Sequence, residues 1–194
     1  MKTASVQKIA GVLRVLTCAA LVCNLIILYL VPAAVLLDSH DLLGGVWEYL
    51  SGMFFPGEDT IVMAGAAGSF LAWVWVWRDA CAAVLTLFLT ISGVCTAVIL
   101  WQARRVLKTI LRGRPFSAEN AASLNRAAVC AFLIAAAALV RVIVSVRLYR
   151  SVRPLLTYNA LFIAVFSIAG LLCLVMAALF RQAAELKAEN DLII

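Results

Sequence analysis

The sequence predicts an all-α integral membrane protein: four transmembrane helices in one bundle, both termini cytoplasmic, and a long acidic outer loop between helices 1 and 2. Three observations predict it. Of 194 residues, 65% are hydrophobic and only 13% are charged. A soluble domain carries roughly 45–50% and about 25%, so a single water-soluble core does not accommodate the apolar excess. The apolar residues also gather in runs of at least about 20, the length a bilayer demands. Finally, charge is segregated. Residues 102–126 hold six bases against one acid, a net +5, and residues 38–79 hold six acids against one base, a net −5.

The first span runs from about 10 to 37, behind Lys2 and Lys8. It exceeds the roughly 7–15 apolar residues of a secretory signal core, so Val31-Pro32-Ala33-Ala34 is read as helix rather than as a cleavage site. The second span, 80–101, has 22 residues and no charge. The third, 127–149, is interrupted by Arg141 and Arg147, and the fourth, 156–180, is uncharged. All four are predicted helical, because in lipid a helix satisfies its own backbone groups.

Residues 61–77, "IVMAGAAGSFLAWVWVW", barely reach spanning length and end at Arg78-Asp79. A fifth span there would put the +5 segment on the opposite side from the Lys-rich N-terminus. Basic segments favour the cytoplasmic side, so four spans are preferred. The outer loop is then 38–79. Its Trp73, Trp75 and Trp77 belong either at the membrane–water interface, where amphipathic rings gather, or in an apolar patch packed under the loop. Arg147, Arg150 and Arg153, in the short third connection, run against the charge rule. They are expected to pair with the acidic outer loop.

Between spans 2 and 3 lies a basic corner, 102–126. "QARRVLKTILRG" places Val106, Leu107, Ile110 and Leu111 at helical spacing, interleaved with Arg104, Arg105, Lys108 and Arg112. It reads as the second helix continuing beyond the bilayer with a basic amphipathic face. Gly113 suits a helix C-terminus, and Pro115 prevents continuation. Ser117 is an N-cap candidate, Glu119 favours the first turn of the next helix, and Phe116 precedes the cap as an apolar staple. Arg104, Arg105, Lys108, Arg112 and Arg114 form a candidate partner or lipid surface. The tail, 181–194, alternates charge through Arg181, Glu185, Lys187 and Glu189, as a solvated helix does. Its terminal Leu192-Ile193-Ile194 is expected to dock on the corner.

"LRGRPFSAENAASLNRAA" resembles the "G-x-PF-x-x-x-N…L" signature of a bacterial membrane family catalogued as domain of unknown function twenty-nine seventy-five. Pro115, Phe116, Ser117 and Asn120 carry the match. The ending "ELKAENDLII" resembles the family's "E-N-D-L-T-[IV]"-like tail, with Ile193 where the family usually has Thr. The resemblance implies a four-helix protein of the bacterial cytoplasmic membrane. It also implies a cytoplasmic helix-turn-helix regulator as partner, since such regulators are often encoded beside family members.

Within the spans, Arg141 stands out. It lies roughly 12 Å below the outer end of its helix, at ~1.5 Å per residue. Buried charge is costly and seeks a partner, and Asp79 is the nearest candidate acid; an Arg141–Asp79 ion pair is expected. Asn24, Thr86 and Thr90 are expected to make interhelical hydrogen bonds, and Ala127, Ala131 and Ala135 to admit a close neighbouring helix. The six cysteines lie in apolar runs with no C-x-x-C pair, and read as small hydrophobes. His40, in "DSHD", reads as solvated loop rather than metal ligand. No nucleophile elbow, zinc motif, phosphate loop or dinucleotide fingerprint is present.

The net charge of +6 reports orientation rather than direct nucleic-acid binding. The expectation is a single domain, 1–194, that is not an enzyme and holds no cofactor or metal. Its role is regulatory or sensory, binding a soluble cytoplasmic partner through corner and tail, with the lipid bilayer as its other partner. The alternative is a small transporter or accessory subunit with Arg141 on an anionic substrate path. Against it stands the lack of broken helices and inverted repeats.

Overall fold

Four long helices follow one another in the computed structural model, which describes residues 2–39, 70–112, 117–150 and 158–191. They are α1 (Lys2–Ser39), α2 (Ala80–Leu111), α3 (Ala118–Tyr149) and α4 (Tyr158–Asp191), with a 3-10 turn, Val76–Arg78, ahead of α2. Each holds a stretch long and apolar enough to cross a bilayer: Lys8–Val35, Ala80–Leu111, Ala118–Leu148 and Ala160–Glu189. This is the all-α membrane architecture the apolar runs predict. The helices outlast those runs. At ~1.5 Å per residue, 32 or 34 residues reach about 50 Å, against ~30 Å of hydrocarbon. Backbone hydrogen bonding does not stop where hydropathy falls, so α2 continues ten residues past Trp101 and α4 continues through the charged tail to Asp191.

The chain divides into two compact units, Met1–Leu25 with Ile91–Ile194, and Ile26–Thr90. In the first, α3 is the most enclosed helix. Its buried residues are Asn120, Ala121, Ser123, Ala127, Ala128, Ala131, Ile134, Ala135, Ala138 and Val142. Steps of three and four place them on one face. Most are alanine, because in lipid close helix approach comes from small side chains rather than from a hydrophobic drive.

Both neighbours of α3 in this unit run antiparallel to it. On the α2 side, Cys95 lies near Cys130, and nearer the corner Arg105 meets Glu119 and Thr109 meets Asn120. On the α4 side, Ala118 shares a cleft wall with Ala188. Further along, the Phe132 ring lies 3.0 Å from where a Cβ on Gly170 would stand. Glycine there makes room for the ring. α3 ends with Arg150 in the left-handed region, φ 46° and ψ 34°, a conformation glycine adopts at less cost.

In the second unit, Val31 and Val35 of α1 pack with Val76 and Ala82, and Leu85 and Leu89 complete the cluster. Pro32 sits fully buried inside α1. Its ring removes one backbone donor, a loss membrane helices tolerate. The Val31–Ala34 stretch is thus interior helix.

Asn24, Thr86 and Thr90 are expected to bond across helices, but among the described residues Asn24 Oδ1, Thr86 Oγ1 and Thr90 Oγ1 are buried without a protein partner. Sequence spacing shows which residues share a helix face, not whether a donor stands opposite. Thr17, by contrast, donates back to the Leu13 carbonyl at 2.7 Å, one turn up its own helix.

Candidate interaction site at the α2–α3 corner

The corner is built from two helix ends and two cross-links. α2 finishes by tightening: the Arg112 N–H is shared between the Lys108 and Thr109 carbonyls, 3.2 Å from each. α3 starts at Ser117, whose extended backbone and side-chain oxygen form an N-cap. Its Oγ accepts from the Asn120 N–H at 3.3 Å. Such a cap contributes about 1 kcal/mol.

Asn120 has a second task. It is 1% exposed, and its side-chain amide stands 2.7 Å from Thr109 Oγ1, which is also 2.7 Å from the Val106 carbonyl. One hydroxyl proton cannot serve two acceptors. The proton count closes if the hydroxyl donates to the Val106 carbonyl and the Asn120 amide N–H donates to the hydroxyl oxygen, which exchanges the amide's O and N. Asn120 therefore ties the start of α3 to the end of α2. Ser123, one turn on, and Gln102, two turns back, are also buried, and Gln102 Oε1 has no protein donor among the described residues.

The second link is Arg105 Nη2 to Glu119 Oε1 at 3.0 Å, with side chains 45% and 63% exposed. At that exposure it contributes about 0–1 kcal/mol and chiefly fixes direction. Trp101, Arg105, Lys108 and Arg112 follow steps of four, three and four, and all are exposed. They form one face, basic beyond Trp101. Arg104 lies over the Trp101 ring at 5.6 Å. Lys108 and Arg112 make no ion pair among the described residues. Leu107 is buried on the opposite side.

A cleft of about 670 Å³ opens between α3 and α4 at the same end. Ala118, Ala122, Ala184 and Ala188 wall it, Asn125 also lines it, and Arg181 and Glu185 contribute an i,i+4 ion pair at 3.0 Å. The basic face and the cleft flank the first turns of α3.

Other expected site residues fall elsewhere. Arg114, Pro115 and Phe116, with Gly113, lie outside the described residues, as do His40, Arg153, the outer-loop acids beyond α1 up to Asp59, and Leu192-Ile193-Ile194. Arg141 is half-buried on α3, in the first unit. Asp79 is in the second, and its carboxylate accepts from the N–H groups of Cys81 at 3.3 Å and Ala82 at 3.2 Å. An aspartate directly before an apolar run is an N-cap signature, and that signal was available in the sequence. Among the described residues no three His, Cys, Asp or Glu side chains cluster as metal ligands do.

A family model described as protein of unknown function (DUF2975) matches residues 60–194. The matched segment takes in α2, α3 and α4 together with the corner. No curated protein and no solved structure matches.

Proposed function

We propose a function for this chain, which belongs to the DUF2975 family of proteins of unknown function: a non-enzymatic regulatory protein of the bacterial cytoplasmic membrane, presenting its α2–α3 corner to a soluble cytoplasmic partner. The partner surface is acidic, with a small apolar projection that the alanine-walled cleft receives. Both termini and the corner face the cytoplasm, as the +5 charge of residues 102–126 favours.

One observation carries this reading. The exposed Arg105, Lys108 and Arg112 stand on a corner held by the Ser117 cap, the Thr109–Asn120 contact and the Arg105–Glu119 pair. General attraction to anionic headgroups needs only basic charge near the surface; a buried polar latch adds nothing to it. A surface that one partner must recognise benefits from being fixed in advance. The resemblance of the corner motif to its family supports a helix-turn-helix regulator as that partner.

The test is affinity purification of the tagged protein from its native membrane in mild detergent, beside a variant with Arg104, Arg105, Arg112 and Arg114 changed to Gln. The expected result is a soluble DNA-binding protein that follows the native form, is lost with the variant, and rebinds when purified. Recovery of membrane components alone, equally with both forms, overturns the reading.

A further inference from the structure

Residues 70–78 form a short element directly ahead of α2: a helical turn over 70–75, the 3-10 turn Val76–Arg78, then an extended Asp79. Its two sides differ sharply. Ala72 and Val76 are buried, Val76 completely, and Val76 packs on Val31, Val35 and Ala82. Phe70, Leu71, Val74, Trp75 and Trp77 are each more than half exposed. In water such an apolar patch is a liability. On α2, Leu87, Ile91 and Val94 are exposed in the same manner.

The charges beside it are arranged for an anion. The Arg78 guanidinium lies over the Trp75 ring, 4.5 Å from its centroid. Stacking occupies the flat face of a guanidinium and leaves its N–H edge to donate. Asp79, the adjacent acid, forms no ion pair with it among the described residues; its two carboxylate oxygens accept from the N–H groups of Cys81 and Ala82. Arg78 makes no ion pair among the described residues.

The far end of the α2 span repeats the arrangement, with Arg104 over Trp101. Between Ala80 and Trp101 the helix rises about 32 Å, close to the ~30 Å thickness of bilayer hydrocarbon. Trp rings gather at the membrane–water boundary, and arginine there meets phosphate.

We infer that residues 70–78 are an interfacial anchor: the side chains of Phe70, Leu71, Val74, Trp75 and Trp77 lie in the headgroup–acyl boundary at the start of α2, and Arg78, held by Trp75, binds the phosphodiester of a phospholipid. This resolves the two readings of the tryptophan cluster by dividing the element. Val76 packs inward and Trp75 and Trp77 face lipid.

The test uses the full chain in phosphatidylcholine–phosphatidylglycerol vesicles, with Trp47, Trp73, Trp77 and Trp101 changed to Phe so that Trp75 alone reports. Lipids brominated near the carbonyl end of the acyl chain should quench it roughly twofold more than lipids brominated near the methyl end, as a boundary position requires. Equal or reversed quenching, or emission that only aqueous iodide quenches, overturns the anchor. A second measurement does not depend on that variant folding. Wild type and Arg78→Gln are compared by electron spin resonance with spin-labelled phosphatidylglycerol, with and without millimolar inorganic phosphate. The immobilised lipid fraction should fall in Arg78→Gln and be unaffected by phosphate. An unchanged fraction overturns the headgroup site; displacement by phosphate assigns it to a free anion instead.

Discussion

Helices α3 and α4 have nearly equal mean hydropathy over their membrane-length stretches, yet 39% of the α3 stretch is buried in the protein and only 11% of the α4 stretch. The difference lies in side-chain size. The inner face of α3 is Ala127, Ala128, Ala131, Ala135 and Ala138, whereas α4 presents Leu161, Val165, Ile168, Leu171, Leu172 and Val175 to its surroundings. In water the greasier helix would be sought at the centre. In lipid, hydrocarbon solvates leucine as well as a neighbouring helix does, and the centre goes to the helix that allows the closest approach. Gly170 is the point where α4 follows the rule of α3, giving up its side chain to the Phe132 ring.

The contrast can be broken most severely on α3. Ala128→Leu places three extra carbons at a position 0% exposed; overpacking typically costs about 1–3 kcal/mol, and more where the backbone cannot yield. Thermal unfolding in detergent should show the largest loss of any single change proposed, and an unaltered midpoint would mean that α3 is not the central helix.

Next comes the corner. Asn120→Ala removes the α2–α3 tie while Thr109 keeps its bond to the Val106 carbonyl, costing about 0.5–1.5 kcal/mol. Hydrogen exchange of the first turn of α3 should accelerate while the middle of α4 stays protected. Uniform acceleration would make Asn120 a global rather than a local tie.

Gly170→Ala should cost about 1 kcal/mol through the 3.0 Å approach to Phe132. Combining it with Phe132→Leu should recover part of that loss, and a simple sum of the two single effects would deny the contact. The smallest effect belongs to the lipid-facing side. Leu172→Ala, at a residue 60% exposed, should stay within about 0.5 kcal/mol of wild type.

Span number, the continuation of α2 and the Ser117 cap were legible in the sequence because each rests on local signals: run length, 3.6-residue spacing and a capping residue behind proline. What required the fold is long-range. Glu119 could be placed in a first turn from sequence, but its Arg105 partner, fourteen residues away, could not. Asn120 carried the family resemblance without any physical role until Thr109 was found beside it. Asp79 is the expected partner of Arg141 as the nearest acid, and its place directly before α2 also makes it a cap, accepting from the Cys81 and Ala82 N–H groups. Asn24, Thr86 and Thr90 were expected to bond across helices, and each leaves a buried oxygen without a protein partner among the described residues. The tryptophan cluster had two readings because alternation along a chain does not say which side meets protein; the burial of Val76 does.

A cytoplasmic partner can reach the corner only if the corner is cytoplasmic, so sidedness is the most direct test. Fusions truncated after residue 113, one to green fluorescent protein and one to alkaline phosphatase, would be expressed in a bacterial host. A cytoplasmic corner gives fluorescence and no phosphatase activity. Active phosphatase with no fluorescence would put the basic corner outside, reverse the orientation, and contradict the proposed function.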